Sequence, residues 1–311
     1  MFSTPILFII FNRADHTQLV FNEIKKQKPK KLFVFADGPR TENEEDQTKC
    51  KKTRTIISNQ IDWDCSLETM FLDYNLGCGK GPAKAITWFF ENVEEGIIIE
   101  DDCIPHPDFF DYCSILLEKY RSENRIMVIG ATTYRDDYPC INSYTFSIYP
   151  TMAAWATWKR VWLKYDYNLS CFKREDVQKK LRKYFHSKFE YKSWMNLYDW
   201  IVEDNFETYW DWQMNFILYM NDGIAIRPKK NMIMNIGFGI DATHTNYLKN
   251  PNFTANRETF SCFPLVCPSE IKINKKYDSI YYKKMHKTAF LKQLLIKISN
   301  KLRKYSSKII L

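Results

Sequence analysis

The chain has 311 residues, of which 45% are apolar and 16% aromatic, so it carries enough hydrophobic surface for the core of a globular protein. Its nine cysteines include no C-x-x-C pair, which argues against a zinc or dithiol redox site and favours a reducing cytosol. The net charge of +8 arises mainly from 281–311, which holds nine basic and no acidic residues, so the nearly neutral remainder does not indicate nucleic-acid binding.

The amino-terminal half alternates apolar runs with segments of helical spacing. PILFIIF (5–11) is a continuous apolar run, typical of a strand buried on both faces, and 15–26 carries apolar side chains at helical intervals. KLFVFADGP (31–39), LETMFLDYN (67–75) and GIIIE (96–100) repeat the strand pattern. This alternation predicts an α/β fold in which helices flank a mixed, mostly parallel sheet, with functional loops at the carboxyl ends of its strands.

A glycine-rich segment follows the third of these strands. NLGCGKGP (75–82) is expected to be a loop, with a helix over 83–92 and Pro82 near its first turn. Exposed backbone amides, a helix start, Lys80 and Lys84 make the segment a candidate cradle for a diphosphate. It matches neither G-x-x-x-x-G-K-[ST] nor G-x-G-x-x-G, so neither a P-loop nor a dinucleotide-binding fingerprint is predicted.

Three adjacent acidic residues, Glu100, Asp101 and Asp102, stand at the end of the strand over 96–100. Their mutual repulsion costs free energy that a divalent cation would remove, and Mg²⁺ and Mn²⁺ prefer oxygen ligands of this kind. The sequence therefore predicts a metal site here. The alternative is a solvated turn in which the three carboxylates face water.

Three further residues are candidates for chemistry. Asp37, at the end of the second strand, either accepts hydrogen bonds from a ribose or a base or shapes the turn that follows. Asp211 in TYWDWQM (208–214) lies between indoles that would raise its basicity, as suits a general base; the alternative is a helix cap. His244 in GFGIDATHT (237–245) is a candidate metal or phosphate ligand, or an ordinary loop histidine.

The second half of the chain is rich in aromatic residues and opens with MVIGATTY (127–134), a further strand candidate. Most large aromatic side chains belong to a core, and we expect one or two here to contact a sugar face. Because the sequence shows no internal repeat and no Pro/Ser-rich linker, we predict one main domain over 1–265. The tryptophans of this half are Trp155, Trp158, Trp162, Trp194, Trp200, Trp210 and Trp212.

The predicted tail, 266–311, is basic and amphipathic. Its apolar residues fall on one helical face and its cations largely on the other, as in helices that lie on anionic membranes. The alternative is a helix packed on the body with a solvated charged face. We expect a cytoplasmic protein without a signal peptide or membrane span, peripheral to the inner membrane face, that does not bind nucleic acid. The apolar residues are Phe290, Leu291, Leu294, Leu295, Ile298 and Leu302.

Several motifs in a fixed order carry a resemblance to a known family. They are PILFIIFNR, the Asp37-Gly38 turn, EDDCIPHPDFFDY, AAWATWKRVW, WDWQM, and IRP followed by a Gly/Thr/His loop. Over roughly residues 4–246 the chain resembles the GT-A nucleotide-diphospho-sugar glycosyltransferases, most closely the N-acetylglucosaminyltransferase I type and its bacterial relatives. The resemblance implies a GT-A, Rossmann-like fold with a nucleotide-sugar half, 1–135, and an acceptor half, 136–265.

The resemblance also implies roles for residues on the donor side. Asn12, Arg13 and Asp37 would hold the nucleotide. Glu100 and Asp101 would contact the ribose or the sugar.

The remaining implied roles concern the reaction itself. Gly79 and Lys84 would contact the diphosphate, and Asp102 would be the direct ligand of Mn²⁺ or Mg²⁺, with His244 near the metal or diphosphate. Asp211 would be the catalytic base, although the second acid of the family's pattern is replaced by Trp212.

The implied activity is that of a metal-dependent, inverting glycosyltransferase that moves a hexosyl or N-acetylhexosaminyl group from a nucleotide-diphospho-sugar. The acceptor would be a glycan or glycolipid, and the amphipathic tail suggests that it is built at the inner membrane face, as in a surface polysaccharide or lipopolysaccharide pathway. The alternatives are a metal-dependent phosphodiesterase or nuclease built on the same carboxylates, and a non-catalytic protein that binds nucleic acid or lipid.

Overall fold

An eight-stranded sheet flanked by helices forms the centre of the molecule. The computed structural model describes residues 1–133, 141–185, 187–203, 209–237 and 261–283.

The large sheet has the strand order β3-β2-β1-β4-β8-β6-β9-β7, and β5 and β10 form a separate two-stranded sheet. Its strands are β1 (Ile6–Ile10), β2 (Lys31–Ala36), β3 (Ser66–Phe71), β4 (Glu95–Glu100), β6 (Ile126–Gly130), β7 (Tyr144–Ser147), β8 (Trp155–Trp158) and β9 (Ile224–Pro228), with β5 (Cys103–Pro105) and β10 (Ile233–Asn235) in the small sheet. Within the described residues up to 237, the helices are α1 (Ala14–Gln27), α2 (Glu44–Gln60), α3 (Gly77–Asn92), α4 (Pro107–Lys119), α5 (Lys159–Trp162), α6 (Arg174–Tyr184), α7 (Lys188–Glu203) and α8 (Asp211–Met220).

The sheet is mixed and mostly parallel, which confirms the predicted fold class. The run β3-β2-β1-β4 is parallel throughout, and β6 is parallel to β9. The antiparallel pairings are β4 with β8, β8 with β6, and β9 with β7. All five residues of β1 are buried, as are the three isoleucines of β4, because both faces of these central strands are covered.

The predicted loop over 75–82 is wrong for most of its length, because α3 already begins at Gly77. The amides of Leu76 and Gly77 donate to the side chain of Asp37, so a residue distant in sequence supplies the cap for this helix. Pro82 lies inside α3, near its first turn as the sequence indicates. The sequence of this segment does not predict a helix, because it is rich in glycine, which has low helix propensity.

Most of the tryptophans of the second half belong to the core, as expected. Trp155 stacks on Trp210 at a centroid distance of 5.8 Å, and Trp162 stacks on Tyr165 at 4.1 Å. Trp200, by contrast, is 46% exposed.

Residues 261–283 pack against the sheet, including those that the sequence assigns to the tail. Ser143 N donates to Val266 O, and Asn274 N donates to Phe146 O, each at 2.8 Å. A helix over 275–283 follows. The boundary at 265 remains a prediction, and the part of the tail over 284–311 lies outside the described residues. Within the described part of the chain, none of the helices is both long and apolar enough to cross a membrane.

Candidate functional site

The carboxyl ends of β1, β2 and β4 lie side by side at one edge of the sheet. Pairing is parallel from β2 through β1 to β4, so the residues that follow these strands come together there. They are Asn12 and Arg13 after β1, Asp37 after β2, and Asp101 and Asp102 after β4. The structure thus brings together five of the predicted site residues at the edge where ligands bind in open α/β sheets.

Arg13 bridges two acids of the trio. Its guanidinium contacts Asp101 Oδ1 through Nη2 and Asp101 Oδ2 through Nε, and the same Nη2 lies 3.2 Å from Asp102 Oδ2. Asp101 is only 4% exposed; burial raises the pKa of Asp101, and the charge of Arg13 opposes that shift. Burial also disfavours the charged form of Arg13, but the two carboxylates raise its pKa above the ordinary value. The positive charge of Arg13 therefore offsets part of the electrostatic repulsion among the three adjacent acids.

Glu100 and Asp211 share one electrostatic environment although more than 100 residues separate them in the sequence. Burial raises the pKa of Glu100, and the charges of Asp102 and Asp211 raise it further. Asp211 is the first residue of α8, where the helix dipole favours a negative charge. The predicted general base and the predicted metal ligand thus both lie within electrostatic range of Glu100, a placement that no sequence pattern specifies.

The first turn of α3 belongs to the same environment. Burial raises the pKa of Cys78, the second residue of this helix, and the charges of Glu100, Asp37 and Asp211 contribute to the shift. Burial also raises the pKa of Tyr209, to which Asp211 and Cys78 contribute. The start of α3 therefore lies within electrostatic range of Glu100 and of the start of α8.

Asp102 is held in place by the chain that leaves β10. Ile236 N donates to Asp102 O at 2.8 Å, and Gly237 N donates to Asn235 Oδ1 at 2.8 Å. A Cβ on Gly237 would overlap with Asp102 Oδ2, so the approach requires glycine. The Asp102 side chain retains 17% of its exposure and is more accessible than that of Asp101.

Asp37 contacts the glycine-rich segment rather than open solvent. Its carboxylate accepts hydrogen bonds from the backbone amides of Gly38, Leu76 and Gly77 and from Asn75 Nδ2, at 2.9 to 3.1 Å. These contacts correspond to the alternative in which Asp37 shapes the backbone around it. A contact with nucleotide remains a prediction.

Asn12 belongs to a polar cluster around the buried Asp46 that the sequence did not reveal. Its Nδ2 donates to Asp46 Oδ1 at 2.8 Å, and Arg40 Nε donates to Asp46 Oδ2 at 2.6 Å. Asp46 is fully buried, and the Arg40 guanidinium lies 5.5 Å from the centroid of the Phe11 ring. Asp46 is one of three acids in the first turn of α2, and no sequence signal separates the buried one from its solvated neighbours.

Gly79, Lys84 and His244 are the remaining residues that were predicted to contact the diphosphate or the metal. Gly79 is buried in α3, whereas Lys84, on the next turn of that helix, is exposed. His244 falls in 238–260 and lies outside the described residues.

The metal prediction rests on the chemistry of the carboxylates. Among the residues that the structure describes, no group of three or more His, Cys, Asp or Glu side chains is arranged so that it could hold a metal ion by itself. The oxygens of Asp102 and Glu100 fit a hard cation that keeps several waters and takes further ligands from substrate phosphates. The donor set therefore fits Mn²⁺ or Mg²⁺ better than a structural metal such as zinc.

Neither the comparison with protein-family models nor that with curated proteins finds a match. Among solved structures, HddC from Yersinia pseudotuberculosis is 9% identical over 52% of this chain and 80% of its own, with a TM-score of 0.34. A UDP-glucose pyrophosphorylase complexed with UDP-glucose is 11% identical over 52% and 78%, with a TM-score of 0.31. An inositol-1-phosphate CTP transferase from T. maritima is 9% identical over 52% and 74%, with a TM-score of 0.31. Similarities at these scores and identities show nothing about the activity of this chain.

Proposed function

We propose that the chain is a metal-dependent, inverting glycosyltransferase of the GT-A type, which moves a sugar from a nucleotide-diphosphate donor to a hydroxyl of a glycan or glycolipid. The supporting observation is one of placement: Glu100 ends β4 with Asp102 two residues on, and Asp211, the first residue of α8, lies within electrostatic range of Glu100. A displacement at an anomeric carbon needs stabilisation of the leaving diphosphate and a base for the attacking hydroxyl. The acid trio and Asp211 provide candidates for both.

The roles divide between two elements. Asp102, with Glu100 beside it, would hold the divalent cation, which when bound supplies the positive charge that a departing diphosphate requires. Asp211, at the start of α8, would accept the proton of the acceptor hydroxyl. Inversion requires that the base and the leaving group act on opposite faces of the sugar, so the proposal assigns the acceptor hydroxyl to Asp211 and the diphosphate to Asp102.

The surroundings of the trio would serve the donor. Asp101 forms an ion pair with Arg13, so we assign both residues to the lining of the donor site. Asn12, which precedes Arg13 in the sequence, would lie on the nucleotide side. The proposal also includes an acceptor of surface polysaccharide synthesis, and a basic tail at the inner membrane face that would bring the enzyme to a lipid-linked acceptor.

Donor hydrolysis tests this proposal without knowledge of the acceptor. The full chain with Mn²⁺ is expected to release nucleoside diphosphate slowly from at least one member of a panel of sugar nucleotides, and Asp102→Asn should lose this signal. Asp111→Asn, which changes an exposed acid on α4, is the matched control and should retain it. Cleavage of oligonucleotides or phosphodiesters, with no release from any sugar nucleotide, would support the phosphodiesterase instead.

A further inference from the structure

The carboxylate of Asp37 is occupied by donors of the chain itself. Its Oδ1 accepts hydrogen bonds from Gly38 N and Leu76 N, each at 2.9 Å. Its Oδ2 accepts from Gly77 N at 3.0 Å and from Leu76 N and Asn75 Nδ2 at 3.1 Å. A carboxylate offers about four lone-pair positions, so Asp37 has little capacity left for the hydroxyls of a ribose.

The glycines of the segment are explained by the same contact. Gly77 has φ +81°, a conformation that other residues rarely adopt. A Cβ on Gly81 would lie 3.2 Å from Asp37 Oδ2, closer than most carbon atoms approach an oxygen. The glycines therefore allow α3 to begin against Asp37, and the amides that would otherwise face an anion are satisfied by this side chain.

Arg54 holds the backbone carbonyl of Asp37. Its Nη2 donates to Asp37 O at 3.1 Å and to Leu72 O at 2.6 Å, which ties α2 to the ends of β2 and β3. Burial raises the pKa of Asp37, while the amide hydrogen bonds and the charge of Arg54 oppose that shift. Asp37 is thus the point at which β2, the end of β3 and the start of α3 are joined.

This joint determines where the first turn of α3 lies. Cys78 follows the capped amide of Gly77 directly, and its thiol lies within electrostatic range of Glu100 and Asp211. A shift at the start of α3 would therefore move one side of the site relative to the acids. We infer that Asp37 is a positioning residue that sets the distance of α3 from the acid trio and from Asp211, and that it affects donor binding through α3 rather than by contact. The part concerning the donor rests on the proposed function.

Two variants of the full chain test this inference. Asp37→Asn replaces one acceptor oxygen with a donor that faces amide groups. Gly81→Ala crowds Asp37 Oδ2 from a buried position without adding any polar group. Asp62→Asn, which changes an exposed acid paired with Lys25 at 2.8 Å, is the matched control.

Two measurements apply to each variant. The first is the rate of alkylation of Cys78 by iodoacetamide, followed by peptide mass spectrometry with Cys65 as internal reference. The second is thermal stabilisation by UDP-, GDP- and dTDP-sugars with Mn²⁺. Charge-assisted hydrogen bonds contribute about tenfold or more each to an equilibrium, so Asp37→Asn should speed alkylation of Cys78 by roughly tenfold. Both variants should weaken stabilisation by the nucleotide sugar, and the control should change neither readout.

Other results would overturn the inference. If Asp37→Asn abolishes stabilisation while Cys78 alkylation and the Gly81→Ala variant match the wild type, Asp37 contacts the nucleotide directly. Unchanged alkylation in Asp37→Asn refutes the positioning role by itself. If Asp37→Asn does not fold, Gly81→Ala decides instead, and an unchanged rate of Cys78 alkylation in that variant refutes the positioning role. If no sugar nucleotide stabilises the wild type, the proposed function fails, while the alkylation rates still decide whether Asp37 fixes α3.

Discussion

Replacement of Arg13 by glutamine should destabilise the fold through Asp101. The Asp101 side chain is 5% exposed and that of Arg13 is 28% exposed, so removal of the guanidinium leaves a largely buried carboxylate without its counter-ion. Loss of one partner of a buried pair costs about 3–5 kcal/mol, and the partial exposure of Arg13 places the expected cost near the lower limit, at about 3 kcal/mol. For a large domain this corresponds to a decrease in Tm of roughly 5–10 °C.

Urea denaturation followed by circular dichroism measures this loss, and a double-mutant cycle identifies its origin. Arg13→Gln combined with Asp101→Asn removes both charges and should recover about 2 kcal/mol of the free energy of unfolding. Arg121→Gln breaks an ion pair with Glu95 whose arginine is half exposed, and should cost less than about 1 kcal/mol. The explanation is refuted if Arg13→Gln is as stable as Arg121→Gln, or if the double variant is no more stable than Arg13→Gln.

Three further predictions concern other parts of the site and the fold. Gly237→Ala should push against Asp102 and weaken Mn²⁺ binding, measured by electron paramagnetic resonance, by roughly tenfold or more. Asp211→Asn should lower kcat for sugar transfer by about 10²–10⁴-fold while leaving stabilisation by the nucleotide sugar unchanged. Burial raises the pKa of Asp278 from 3.8 to about 6. Because the folded state favours the protonated carboxyl, the contribution of Asp278 to the free energy of unfolding is fully present below pH 4 and is lost as the pH rises through 6. Asp278→Asn keeps an acceptor for Ser147 and removes this dependence, so its unfolding free energy relative to wild type should rise by about 2–3 kcal/mol between pH 4 and 7.

The sheet was predictable because its central strands are buried on both faces. Runs such as 6–10 and 97–99 have to be apolar throughout when helices cover both sides, and this leaves an unambiguous pattern in the sequence. The same pattern places the acid trio at a strand end. The start of α3 was not predictable, because its cap is Asp37, forty residues before Gly77, and short-range rules examine only neighbouring residues.

The partners of the site residues were harder to predict than the residues themselves. Sequence identifies Arg13 and Asp101 as polar groups at strand ends, but their contact depends on the parallel pairing of β1 with β4. Asp46 could not be distinguished from the other acids of its helix, because burial of one charge depends on the position of Arg40 in three dimensions. Local patterns thus specify which residues lie at the edge of the sheet, and tertiary packing specifies which charges neutralise one another.

The contacts around the acids have a consequence for the proposed catalysis. Arg13 holds Asp101, Ile236 holds the backbone of Asp102, and Asp37 holds the start of α3, and each contact joins the edge of the sheet to a different element. Groups that are fixed before the substrate binds do not have to be ordered during the reaction, which lowers the barrier. A substitution that loosens one of these contacts should therefore reduce kcat by more than its effect on stability alone explains. A core substitution of equal stability cost, remote from this edge, should leave the kcat of the folded fraction unchanged.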